Sequence, residues 1–214
     1  MSVLAFAVAA NGIAAAADSV YLTVDEGRWE MTSTNQKLVM GPSLMAGAAG
    51  LAHFTNRNGG QVFVLDLLEL SAGAATPAQA ATQFVSYFTD LPVGLPTLPD
   101  DDRVITAVFA TYEPGVGTIA IASVFASRSA TVEVETVSDP NQRITVLAGW
   151  PPSDALQLSS ALSSPETRAC AAALAVCEMA DHTEIKPGVF GVRGPAQARW
   201  WSEVGTGHRT ITCR

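Results

Sequence analysis

The stretch Ser2–Asp18, SVLAFAVAANGIAAAAD, constrains this chain more than any other. Val3 to Ala10 is apolar throughout, with Leu4, Phe6 and Val8 on one alternating face and Val3, Ala5 and Ala7 on the other. A strand that is apolar on both faces must be covered on both sides. Asn11-Gly12 then signals a hairpin, because both residues tolerate positive φ. Ile13 to Ala17 returns with small side chains suited to close packing. A two-residue turn at Asn11-Gly12 would pair Ala10 with Ile13 and set Asp18 opposite Ala5. At ~3.3 Å per residue this leaves Asp18 about 10 Å along the strand from Ser2. A carboxylate ending a buried strand either marks the surface or has a partner.

Residues 2–17 also resemble the apolar centre of a secretory signal, with small residues before a cut after Ala17. Three features oppose that reading. The start carries no positive charge, Asn11-Gly12 interrupts the run, and strand resumes beyond Asp18. No apolar run reaches the ~18 residues of a membrane span.

The 214-residue chain as a whole follows the same logic of buried surface. It is 48% hydrophobic but only 15% charged, with a mean hydropathy of +0.25, which points to further surface buried in self-assembly. A net charge of −8 argues against nucleic acid and anionic membrane as partners. The expected strands are 19–24, 28–31, 37–40 and 44–49, then 104–111, 117–125, 130–137 and 143–147, then 188–192 and 198–204, before a polar tail. Helical periodicity covers 62–72, 78–89, 153–162 and 164–180. Thr76-Pro77 and Ser164-Pro165 read as helix starts, each an N-cap followed by proline. The proline-rich, acidic run 91–102 reads as a connection. Strands, two helices, strands, two helices, strands implies an α+β fold: a single domain over 1–214, built as a four-layer αββα sandwich.

That order, with the motifs of residues 2–51, resembles the proteasome β-type family of N-terminal-nucleophile hydrolases and the related bacterial two-ring protease subunit. Ile13 to Ser19 reads IAAAADS, similar to the family's "VLAADS", and Asp18 falls sixteen residues after Ser2. Lys37-Leu38 matches the family's lysine, about three residues late. Ala46 to Leu51, AGAAGL, resembles the "GxAGL" whose glycine opens the first helix. The resemblance implies that removing Met1 frees the α-amine of Ser2, which then acts as base for its own hydroxyl. Lys37 would supply positive charge beside that hydroxyl, Asp18 would pair with Lys37, and the N–H of Gly50 would face the oxyanion. Asp181, in ADHTEIKPGVFGV, is nearest to the family's later aspartate motif, although its serine is missing. Ser127 and Ser129 are both candidates for the supporting serine. Departures also include serine for the usual threonine and Val20 for a common arginine. The resemblance further implies peptide or unfolded-protein substrates, a homo-oligomeric ring or double ring, an unfoldase partner, and a cytoplasmic location. No coenzyme motif suggests a cofactor. Two alternatives stand beside this: an inactive structural subunit, and a secreted binding protein lacking residues 1–17.

Taken singly, these residues have plainer readings. Ser2 is a common second residue, Asp18 a turn residue and Gly50 a tight-packing glycine. Lys37 gains weight from scarcity, since Lys37 and Lys186 are the only lysines. Cys170, Cys177 and Cys213 do not form a disulfide framework, and Cys170 and Cys177 read as small buried hydrophobes. His53, His182 and His208 lack metal-ligand spacing. Trp200-Trp201 would place one ring on each face of a strand.

Overall fold

The computed structural model describes residues 3–25, 28–33, 36–55, 58–90, 103–149, 164–180, 184–186, 189–190 and 195–213. The N-terminal hairpin forms its centre. Strands β1 (Val3–Ala9) and β2 (Gly12–Ala17) are buried at every position. They lie in the middle of a five-stranded antiparallel sheet whose other members are β12 (Arg143–Gly149), β15 (Ala196–Ser202) and β16 (Gly205–Ile211), in the order β12-β1-β2-β15-β16. Removing residues 1–17 would therefore delete two central strands.

A second five-stranded sheet has the order β11-β10-β9-β6-β5. Its strands are β5 (Leu38–Met40), β6 (Met45–Gly50), β9 (Arg103–Glu113), β10 (Val116–Phe125) and β11 (Ala130–Val137). The two sheets face each other through one apolar layer. Leu4, Phe6, Val8, Ile13 and Ala15 of the first meet Leu38, Met45, Val108, Ala110 and Ile119 of the second. Full burial of a side chain such as Phe6 or Ile13 contributes about 1.5–3 kcal/mol. Glycines set the spacing between the sheets: a Cβ at Gly47 would come within 2.7 Å of Leu4 Cδ1, and one at Gly117 within 2.4 Å of Val8 Cγ1.

Helices α1 (Val64–Ser71) and α2 (Pro77–Asp90) pack on the outer face of the second sheet, where Phe84, Phe88 and Phe109 cluster. Helix α3 (Pro165–Ala180) packs on β2 and β15, where Ala169, Ala173 and Val176 meet Ala14, Ala16 and Ala198. The alanines on both sides allow this close approach. The two expected caps are in place, with Gln79 N–H donating to Thr76 Oγ1 and Thr167 N–H to Ser164 Oγ. Arg168 of α3 is fully buried and donates to Asn11 Oδ1 at 2.6 Å, tying the helix to the hairpin tip.

The expected four-layer αββα sandwich is corrected by this organisation. The described chain is mostly antiparallel sheet, with sixteen strands against three helices, two on one five-stranded sheet and one on the other, and with three further two-stranded sheets beside them. Segments expected to be helix or connection pair instead as strands: β7 (His53–Thr55) with β8 (Gln61–Phe63), and the expected polar tail as β16 against β15. Strands β3 (Val20–Asp25) with β4 (Arg28–Ser33), and β13 (Glu184–Lys186) with β14 (Val189–Phe190), form two further hairpins. The backbone hydrogen bonds of these short segments are met by pairing, which weak local periodicity does not reveal. The helix expected at 153–162 and the connection at 91–102 lie outside the described residues.

A second correction concerns the cysteines. Cys177 and Cys213 form a disulfide, and Cys170 is free and half-buried. The strand β16 returns the chain end to α3, bringing the two Cα atoms to 4.9 Å, within the range a bridge spans. Among the described residues, no helix is long and apolar enough to cross a membrane.

Candidate active site

The site begins with the hairpin register. Ala9 pairs with Gly12 and Leu4 with Ala17, so the turn residues are Ala10 and Asn11. This corrects the expected Asn11-Gly12 turn by two residues in pairing. Neither Ala10 nor Asn11 takes positive φ; Gly12 does, at +134°. A Cβ on Gly12 would lie 2.2 Å from the Trp201 carbonyl oxygen, so β15 packs directly over the glycine. The corrected register places Asp18 opposite Val3 rather than Ala5. The Asp18 N–H donates to Val3 O at 3.3 Å, and the Val3 N–H donates to Asp18 Oδ1 at 2.9 Å. The carboxylate therefore holds the backbone of the residue that follows Ser2. Ser2 itself lies outside the described residues.

The same Asp18 oxygen accepts from Lys37 Nζ at 2.6 Å, with both side chains fully buried. Burial holds the Lys37 ammonium below the ordinary lysine value, and the attraction of Asp18 opposes that shift. A cation buried this deeply is retained only when paired. Lys37 lies just before β5 in the second sheet, whereas Asp18 directly follows β2 in the first, so the ion pair bridges the two sheets.

Gly50 ends β6, the neighbour of β5. Leu38 pairs with Gly47, so the chain enters β5 at the end where β6 finishes, and Lys37 and Gly50 share one end of that sheet. Gly50 has φ +115°, and a Cβ there would meet Val104 O at 2.1 Å, which demands glycine. The expectation that this glycine opens a helix is corrected: β7 and β8 follow it, and α1 starts at Val64.

Ser127 and Ser129 lie in the turn joining β10 to β11, with their hydroxyls hydrogen-bonded to each other at 2.8 Å. Gly50 pairs with Ile105 and Ile105 with Val124, which places this turn at the same end of the sheet. Asp181 lies outside the described residues, as does His182. Among the described residues, no group of three His, Cys, Asp or Glu side chains is placed to hold a metal ion.

Sequence reasoning missed Gln197. This buried residue on β15 pairs with Ala17 and accepts from the N–H of Lys37 at 3.0 Å and of Leu38 at 3.3 Å, both on Oε1. No local signal marked it, since its partners lie 160 and 159 positions away. Trp201 packs between the sheets while Ala196, Ala198 and Trp200 face α3, so strand alternation turns Gln197 inward. An inward amide requires hydrogen-bond partners.

No protein-family model matches this chain, and no curated protein matches it in sequence.

Proposed function

We propose that this chain is a subunit of a proteasome-like peptide hydrolase with Ser2 as an N-terminal nucleophile. One observation carries the reading: the buried Lys37–Asp18 pair grips the backbone of Val3, directly after Ser2. Loss of Met1 would give Ser2 a free α-amine, a base with a pKa near neutrality. That amine takes the hydroxyl proton as Ser2 Oγ attacks the peptide carbonyl, and returns it to the leaving amine. The resulting acyl ester is then cleaved by water. Lys37 contributes positive charge that favours the alkoxide, and Asp18 keeps that charge in place. The N–H of Gly50 faces the oxyanion. The reading includes peptide or unfolded-protein substrates, assembly into a ring or double ring, and an unfoldase that delivers substrate. It carries a cytoplasmic location, where a reducing milieu would open the Cys177–Cys213 bridge.

The test joins intact mass with a covalent, hydroxyl-directed inhibitor. The expected result is a chain lighter by one methionine, modified on Ser2, with peptide turnover lost in Ser2→Ala. Full turnover in Ser2→Ala would sink the proposal. A second reading, an inactive structural subunit, draws on the fact that the ion pair also ties the two sheets together. Retention of Met1 would favour it, since the amine would then sit one residue from the hydroxyl.

A further inference from the structure

We propose that Gln197 is a positioning residue that sets where the Lys37 ammonium stands. Lys37 is held both at its side chain and at its backbone. Its Nζ meets Asp18, and its backbone N–H, with that of Leu38, meets the single oxygen Oε1 of Gln197. Gln197 pairs with Ala17, the residue before Asp18. Both anchors therefore hang from adjacent positions of one sheet, while Lys37 belongs to the chain entering the other.

The geometry makes this more than a generic sheet contact. Lys37 and Leu38 are consecutive, and their amides point away from each other in regular strand. One oxygen accepting both requires the chain to turn at the entry to β5, and Gln197 holds that turn. Without the acceptor, two buried N–H groups lose their partner, a cost that the segment relieves by moving toward water. Water reaching Lys37 reduces the desolvation that holds its titration down. Displacement of a reactive group by about 1 Å can cost on the order of a hundredfold in rate. The kinetic consequence rests on the proposed Ser2 chemistry; the placement of Lys37 does not.

Lysine scarcity makes the test direct, since the chain has two lysines and a side-chain NMR titration of the full chain resolves Lys37 from Lys186. Gln197→Met keeps the length and removes the acceptor, whereas Gln197→Glu keeps an acceptor oxygen. In Gln197→Met, the Lys37 midpoint should rise toward the ordinary lysine value, and hydrogen-exchange protection of the Lys37 and Leu38 amides should fall. The turnover number should drop about tenfold to a hundredfold with KM little changed. Gln197→Glu should restore amide protection and most of the turnover. A folded Gln197→Met whose Lys37 midpoint stays at the wild-type value would overturn the proposal. If Gln197→Met does not fold, Gln197→Asn, one methylene short of reach, provides the same comparison. An inactive wild-type chain would remove the Ser2 reading, and the lysine titration would then decide the role of Gln197 alone.

Discussion

At Lys37, burial and pairing work against each other. The ammonium is fully out of water, and one carboxylate oxygen at 2.6 Å offsets that loss. Removing one partner leaves an uncompensated charge, so Asp18→Asn should destabilise the chain by about 3–5 kcal/mol in denaturant unfolding. Replacing both, as Asp18→Leu with Lys37→Met, should come out close to neutral or stabilising by about 1–4 kcal/mol, although it abolishes the proposed chemistry. Similar losses in the single and the double variant would contradict this account. The pH dependence has a definite sign. The folded-state Lys37 titrates below its ordinary value, so between that point and the ordinary value the unfolded chain binds more protons. Stability then rises with pH through that window. Wild type should gain on Lys37→Met as the pH rises toward the ordinary lysine value, read as the difference in unfolding midpoints. At this scale the sequence was informative about identity: two lysines, and a carboxylate closing an apolar run. It was silent on Gln197, because its partners are 160 and 159 positions away.

Among the elements, the N-terminal hairpin shows how far local signals reach. Apolar alternation placed β1 and β2 correctly within a residue or two, and Thr76 and Ser164 marked their helices. The register did not follow from the Asn-Gly signal. Gly12 serves the sheet rather than the turn: it takes φ +134° so that the Trp201 carbonyl can pass over it. Gly12→Ala should therefore cost about 1–3 kcal/mol through backbone strain alone, and more if β15 is displaced. Thermal unfolding checks this, and an unchanged Tm would mean that the β2–β15 contact is looser than described. The two-residue difference in register also moves Asp18 from opposite Ala5 to opposite Val3. It retains every side chain on its face, since strand side chains alternate with a period of two, so the apolar pattern agrees with either pairing.

Over the whole molecule, the C-terminal strand is held to α3 by Cys177–Cys213, which are 36 positions apart. A crosslink closing a loop of that size contributes roughly 3–4 kcal/mol by restricting the unfolded chain. Cys213→Ser, or reductant on the wild type, should lower Tm accordingly, and mass after alkylation should count one free thiol before reduction and three after. Equal Tm with and without reductant would contradict a stabilising bridge. By itself, the sequence determined the strands of the hairpin, the helix starts and the residues rare enough to invite a role, because apolar period, capping and composition are local properties. Only the tertiary structure decided the balance of sheet over helix, the hairpin register, the cysteine pairing and the joining of Asp18, Lys37 and Gln197. Each of those depends on which distant backbone lies within hydrogen-bond or disulfide reach, and that distance is set by how the two sheets and α3 pack.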